Sequence, residues 1–119
     1  MSPQQVLIVD DDGATRRGLR QLLEQAGYAA TAVETFDEAL RILRTTPPDL
    51  LITDIRLEAY NGLQLILHRS HSIPTIVITG FADPVLEAEA RRSGAAYLLK
   101  PVEPRDLLAL VAEKLATPS

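Results

Sequence analysis

Leu50-Leu51-Ile52-Thr53-Asp54-Ile55-Arg56-Leu57 decides how this chain folds. The first four residues, three of them aliphatic, read as a short buried strand. A parallel strand covered on both faces gives a near-continuous apolar run where a half-exposed strand would alternate. At its end stands one carboxylate, Asp54. Open α/β sheets bind ligands outside the carboxyl ends of their strands. Asp54 is therefore either a loop cap or part of a ligand site, and this stretch alone permits both.

Working outward, Val6-Leu7-Ile8-Val9 is a second wholly apolar run and ends in Asp10-Asp11-Asp12. The helix expected after it places Leu19, Leu22, Leu23 and Ala26 on one face, with Asp12 as N-cap and Gly27 as C′ residue. Ala29 to Val33, small and partly polar, suits an edge strand. Thr35-Phe36-Asp37-Glu38 carries a capping box for a second helix, which buries Phe36, Ala39, Leu40 and Leu43 and is stopped by Pro47-Pro48. Beyond the Asp54 strand, Asn61-Gly62 closes a loop and a third helix carries Leu63, Leu65, Ile66 and Leu67. Thr75 to Thr79 is the fourth strand. Asp83-Pro84 opens a fourth helix whose weak apolar face (Val85, Leu86, Ala88, Ala90) predicts loose docking before it ends at Gly94. Ala96-Tyr97-Leu98-Leu99 is the fifth strand, and a last helix runs from about Pro104 to Leu115.

Strict alternation of five strands with five helices implies an α/β fold, a doubly wound parallel sheet with helices on both faces. The common order for five strands is 2-1-3-4-5, with the crevice between the first and third. Composition agrees with one globular domain of 119 residues, 46% hydrophobic and 24% charged. A net charge of -4 argues against direct nucleic-acid binding or an anionic membrane surface. No apolar run approaches a membrane span, and no basic-then-apolar leader is evident, so the expected location is the cytoplasm. The absence of cysteine removes zinc-thiolate and thiol chemistry.

In a parallel sheet all strand carboxyl ends share one edge. That edge carries Asp10 and Asp11, Asp54, Thr79 and Lys100. Unit charges ~4 Å apart repel by ~4 kcal/mol at an effective dielectric near 20. Three clustered carboxylates therefore call for a cation or a retained proton. An all-oxygen ligand set favours a hard ion, Mg²⁺ best and Mn²⁺ next. Such an ion would position a phosphoryl group and leave a carboxylate to attack it, with Lys100 and Thr79 receiving the phosphoryl oxygens.

Four segments in order carry a family resemblance: Val6 to Asp12; Asp54 with Gly62 eight positions on; Thr79-Gly80; and Lys100-Pro101. Over its whole length the chain resembles the receiver domain of two-component response regulators, a flavodoxin-like fold. The resemblance implies that Asp54 is the phosphoacceptor, served by a sensor histidine kinase or a small phosphodonor. It implies that Asp11 and Asp54 bind Mg²⁺ directly, Asp10 through water, and Arg56 through its backbone carbonyl. Lys100 would pair with the phosphoryl group, before a peptide to Pro101 that is often cis. Thr79 would swing toward the phosphoryl oxygen while Tyr97 turns inward. The face made by the fourth helix, fifth strand and fifth helix would reach an output domain or downstream protein, or a second copy in a phosphorylation-dependent homodimer. Such a domain is a signalling switch and not an enzyme, beyond assisting its own phosphorylation and slow dephosphorylation.

Glu58 stands where the family usually has Pro. Arg56 and Phe81 occupy the two variable positions that, in the family, tune phosphoryl lifetime, and the resemblance implies that a bulky Phe81 would screen water and lengthen it. His68 and His71 read as surface residues, and Arg16 and Arg17 as a solvated helix face. One rival is a receiver-like module that never takes phosphate, though every acid and the lysine are present. Another is a haloacid dehalogenase-type phosphatase, which Asp10-Asp11-Asp12-Gly13 resembles. Its motif wants Thr or Val where Ala14 stands, and no late acidic pair follows the fourth strand. The chain reads as a receiver over 1–119, either stand-alone or cut from a longer regulator whose linker starts near 116.

Overall fold

Alternation inside the apolar runs assigns each side chain to one of two layers. The computed structural model describes residues 2–57, 60–61, 63–68 and 73–116. Among these, the main sheet consists of β1 (Gln5–Val9), β2 (Ala29–Val33), β3 (Leu50–Asp54), β6 (Thr75–Thr79) and β7 (Ala96–Leu99). All pairings in it are parallel and the spatial order is β2-β1-β3-β6-β7, the expected 2-1-3-4-5. The helices are α1 (Gly13–Gln25), α2 (Phe36–Thr45), α3 (Leu63–His68), α4 (Pro84–Arg92) and α5 (Pro104–Ala116). A two-stranded antiparallel pair, β4 (Arg56–Leu57) with β5 (Tyr60–Asn61), follows β3 and was not foreseen.

Successive strand residues point to opposite faces. Val6, Ile8, Leu50, Ile52, Ile76 and Ile78 therefore meet Leu19 and Leu23 of α1 and Leu107 and Val111 of α5. Leu7, Val9 and Leu51 meet Phe36, Ala39 and Leu43 of α2 and Leu65 of α3. Val77 and Tyr97 pack with Ile66 and Ala90 on that same side. Every residue of β3 and β6 is buried, which is why the centres of these strands, Leu50–Ile52 and Ile76–Ile78, are continuous and do not alternate with polar residues. Each fully buried Leu or Ile contributes about 1.5–3 kcal/mol relative to exposure. β2 lies at an edge and is mostly half-buried, as its small residues suggested.

Helix ends follow the sequence signals. Asp12 caps α1 by accepting the Thr15 N–H, and Thr35 caps α2 by accepting the Glu38 N–H, with the Glu38 carboxylate accepting from the Thr35 hydroxyl. Gly27 and Gly94 follow α1 and α4 with φ of 99° and 85°. At each, the next residue's N–H reaches back to the helix: Tyr28 to the Leu23 carbonyl and Ala95 to the Ala90 carbonyl. This closure needs the left-handed backbone glycine adopts without strain. Thr35→Ala should cost about 1 kcal/mol in urea unfolding; no loss would show that the α2 cap is not structural.

Three expectations need correction or restriction. Ala26 is exposed, because it is the C-cap of α1, past the last turn that faces the sheet. Leu40 is only partly buried at the rim of its cluster. Glu58, Gly62 and His71 lie outside the described residues. α4 docks as lightly as its composition predicted: Ala90 is its buried residue, while Val85 is exposed.

Candidate functional site

The parity that builds the core also builds the site. Asp10 continues the Val6–Ile8 alternation, Asp54 that of Leu50–Ile52, and Lys100 that of Ala96–Leu98, so all three project to the α1/α5 side. β1 and β3 pair in register through Val9 and Thr53, which sets Asp10 and Asp54 side by side just beyond. Carboxylate oxygens of Asp10, Asp11 and Asp54 lie within 4.8 Å of one another. Asp10 and Asp54 are buried and Asp11 is exposed.

Lys100 joins the two buried acids. Its Nζ lies 2.8 Å from Asp54 Oδ2 and 2.9 Å from Asp10 Oδ2. The Lys100–Pro101 peptide is cis. Burial pulls the ammonium's pKa down, but hydrogen bonds to Asp54 and Asp10 outweigh it, so the net shift is upward from 10.5. A pKa raised by folding contributes stability that is present below 10.5 and lost as pH rises through the folded value. The stability difference between the unaltered chain and Lys100→Met should therefore close in that alkaline window; a difference constant to the end of it would contradict the ion pairs.

The Asp10 pKa is also shifted upward, but for an acid that shift has the opposite effect on stability at neutral pH. Burial raises its carboxyl above 3.8, and the Asp12 N–H and Lys100 only partly oppose this. Its ionised form thus weighs against folding at neutral pH, and a further cation beside it would relieve that burden. Asp12, exposed, is held low by its bonds to the Thr15 hydroxyl and N–H, as a helix cap and not a member of the acidic cluster.

Thr79 follows the opposite parity and shares the side of Val77 and Tyr97. Its Oγ1 accepts the Phe81 N–H at 3.2 Å, and the Tyr97 hydroxyl donates to the Phe81 carbonyl at 3.1 Å. Both hydroxyls therefore hold one residue, Phe81, which is itself 56% exposed. Tyr97 is buried. Arg56 lies in β4, two residues past Asp54.

Arg16 was misread as part of a solvated face. Its Nη1 donates to the Asp10 backbone carbonyl at 2.9 Å, and its side chain is 22% exposed. The sequence signal was faint: a long cation one turn into a helix that begins at an acidic strand end. Arg17 is exposed, as expected.

A protein-family model described as the response regulator receiver domain matches residues 6–112. The chain belongs to that family. The receiver is 38% identical to the DNA-binding transcriptional regulator NtrC of Klebsiella pneumoniae, over 87% of this chain and 23% of that protein. It is 30% identical to the DNA-binding response regulator MtrA of Mycobacterium tuberculosis, over 94% of this chain and 50% of that one. The receiver thus spans about a quarter to a half of these regulators. An uncharacterized 14.6 kDa protein of Leptolyngbya boryana is matched over 91% of its length at 35% identity. Among solved structures, a CheY-like receiver domain protein of Methanospirillum hungatei superposes with a TM-score of 0.89 at 35% identity, covering 96% of this chain and 94% of that one. The receiver is a domain of two-component signalling.

Proposed function

We propose that this receiver is a phosphorylation switch in which Asp54 is the phosphoacceptor. The observation that carries the reading is the meeting of Asp54 with two further carboxylates and one ammonium at the carboxyl edge of the sheet. The set fits Mg²⁺: all donors are hard oxygens, one acid is exposed for entry, and burial penalises Asp10's charge. Mn²⁺ suits the same donors. Asp11 and Asp54 would bind the ion directly, Asp10 through water, and Arg56 through its backbone carbonyl. When bound, the ion supplies positive charge at the attacked phosphoryl group and orients its oxygens.

The protein's own groups do the rest. A carboxylate oxygen of Asp54 forms a bond to phosphorus as the bond to the donor breaks, and the leaving group departs with that electron pair. Lys100 moves from the carboxylates to a phosphoryl oxygen. The Thr79 hydroxyl, held by the Phe81 N–H, turns to the same group and frees the Phe81 peptide. Tyr97 senses this through its bond to the Phe81 carbonyl. Phe81 and Arg56 stand at the sequence positions that in this family set access of hydrolytic water, with the Phe81 side chain favouring a longer-lived phosphoryl.

The change is read on α4, β7 and α5. Val85 and Leu99, 67% and 47% exposed, lie on two of these elements. A lightly docked helix beside them is suited to switching. In the whole protein the donor would be a sensor histidine kinase, and the reader an output domain, a downstream protein or a second copy.

Acetyl phosphate with Mg²⁺ should add one phosphoryl group by intact mass. Amide chemical shifts should then change in α4, β7 and α5. Changes confined to α1 and α2 would refute this output face, and labelling at a residue other than Asp54 would refute the site.

A further inference from the structure

Arg16 has no place in the chemistry just described, yet it bonds the backbone of a residue at the site's centre. Asp10 is 1% exposed and lies just past β1, its N–H donating to the Val33 carbonyl at 3.2 Å. A carbonyl this buried requires a donor. Arg16 Nη1 supplies it at 2.9 Å and reaches the Glu34 carboxylate, just past β2, at 3.9 Å. The Asp10 side chain is held from two other directions, Oδ1 by the Asp12 N–H at 2.9 Å and Oδ2 by Lys100. The guanidinium packs beside Gly13: a Cβ there would lie 3.6 Å from Arg16 Nη2, an ordinary contact distance. An arginine near the positive end of α1 is also electrostatically disfavoured in the helix itself, so its bond to Asp10 is what gives the position a use.

We infer that Arg16 is a positioning residue: its bond to the Asp10 carbonyl fixes the β1–α1 turn and so holds Asp10 and Asp11 at the spacing from Asp54 that a divalent cation requires. The inference rests on the Mg²⁺ reading above. It has an unusual sign. Acting only through its charge, Arg16 would repel the ion, so its neutralisation would tighten Mg²⁺ binding. Acting through position, its loss weakens binding, as loss of groups that orient metal ligands commonly does by 10–100-fold.

The test is Mg²⁺ titration of the full chain by calorimetry, alongside the Mg²⁺ dependence of phosphorylation by acetyl phosphate. Arg16→Gln should bind Mg²⁺ about tenfold more weakly, with the phosphorylation rate recovering at saturating Mg²⁺. Arg20→Gln removes the same charge from α1 at a residue that pairs with Glu24 outside the acidic turn, and should leave the affinity unchanged or tighter. Binding by Arg16→Gln as tight as in the unaltered chain, or tighter, overturns the inference alone. If Arg16→Gln does not keep a cooperative thermal transition, Arg16→Lys decides. It retains the charge but a single short donor head, and should bind at least about twofold more weakly; equal binding overturns the inference. Absence of Mg²⁺ binding in the unaltered chain overturns the metal reading and this inference together.

Discussion

Lys100→Met should lower the stability of the metal-free protein by about 3–5 kcal/mol at neutral pH, the usual loss when one partner of a buried ion pair is removed. Lys100 Nζ sits between Asp54 and Asp10, whose side chains are 8% and 2% exposed. Without it two buried carboxylates face each other at a separation where repulsion is ~4 kcal/mol. The least costly response is retention of a proton. The deficit should therefore shrink on acidification, and millimolar Mg²⁺ should restore part of it. Urea unfolding across pH, with and without Mg²⁺, measures all three. A neutral-pH midpoint equal to that of the unaltered chain would show that Lys100 does not bridge the acids.

Asp54→Asn should eliminate covalent phosphorylation. The side-chain amide is nearly the same shape as the carboxylate but lacks its nucleophilic oxygen anion. The same exchange removes one of three negative charges from a crowded edge, while Lys100 keeps Asp10 as partner. Stability without metal should thus stay within about 1 kcal/mol, so lost labelling reports lost chemistry and not lost fold. Mg²⁺ affinity should fall as well, because Asp54 is proposed as a direct ligand. Incorporation at an undiminished rate, read by intact mass, would reassign the acceptor to Asp10 or Asp11.

Some features were legible because a local rule forces them. Val6–Val9 of β1 and all of β3 and β6 are buried, so the middle of each strand is aliphatic and the polar residues Thr53, Asp54, Thr75 and Thr79 fall toward the strand ends. Helix ends were legible because a free N–H attracts Thr35 or Asp83, and because the left-handed turn at Gly27 or Gly94 excludes most other residues. Arg16 was not legible. A long side chain on the first turn of a helix can reach solvent or fold back, and the acidic strand end before it is too weak a signal to decide between the two. Thr79 was similar: its place at the end of β6 was clear, but its present bond to the Phe81 N–H depends on the turn after the strand.

The sequence by itself therefore determined the strand–helix alternation, the order of the layers and the edge on which Asp10, Asp11, Asp54, Thr79 and Lys100 would gather. These follow from burial and from one residue's relation to its near neighbours. Only the tertiary structure decided that Lys100 bridges Asp10 as closely as Asp54, that Thr79 and Tyr97 share Phe81, and that Arg16 holds the Asp10 carbonyl. Each of these is a contact between a flexible side chain and a group brought near by a crossover or a turn. Its existence depends on distances of a few ångströms that no local pattern encodes.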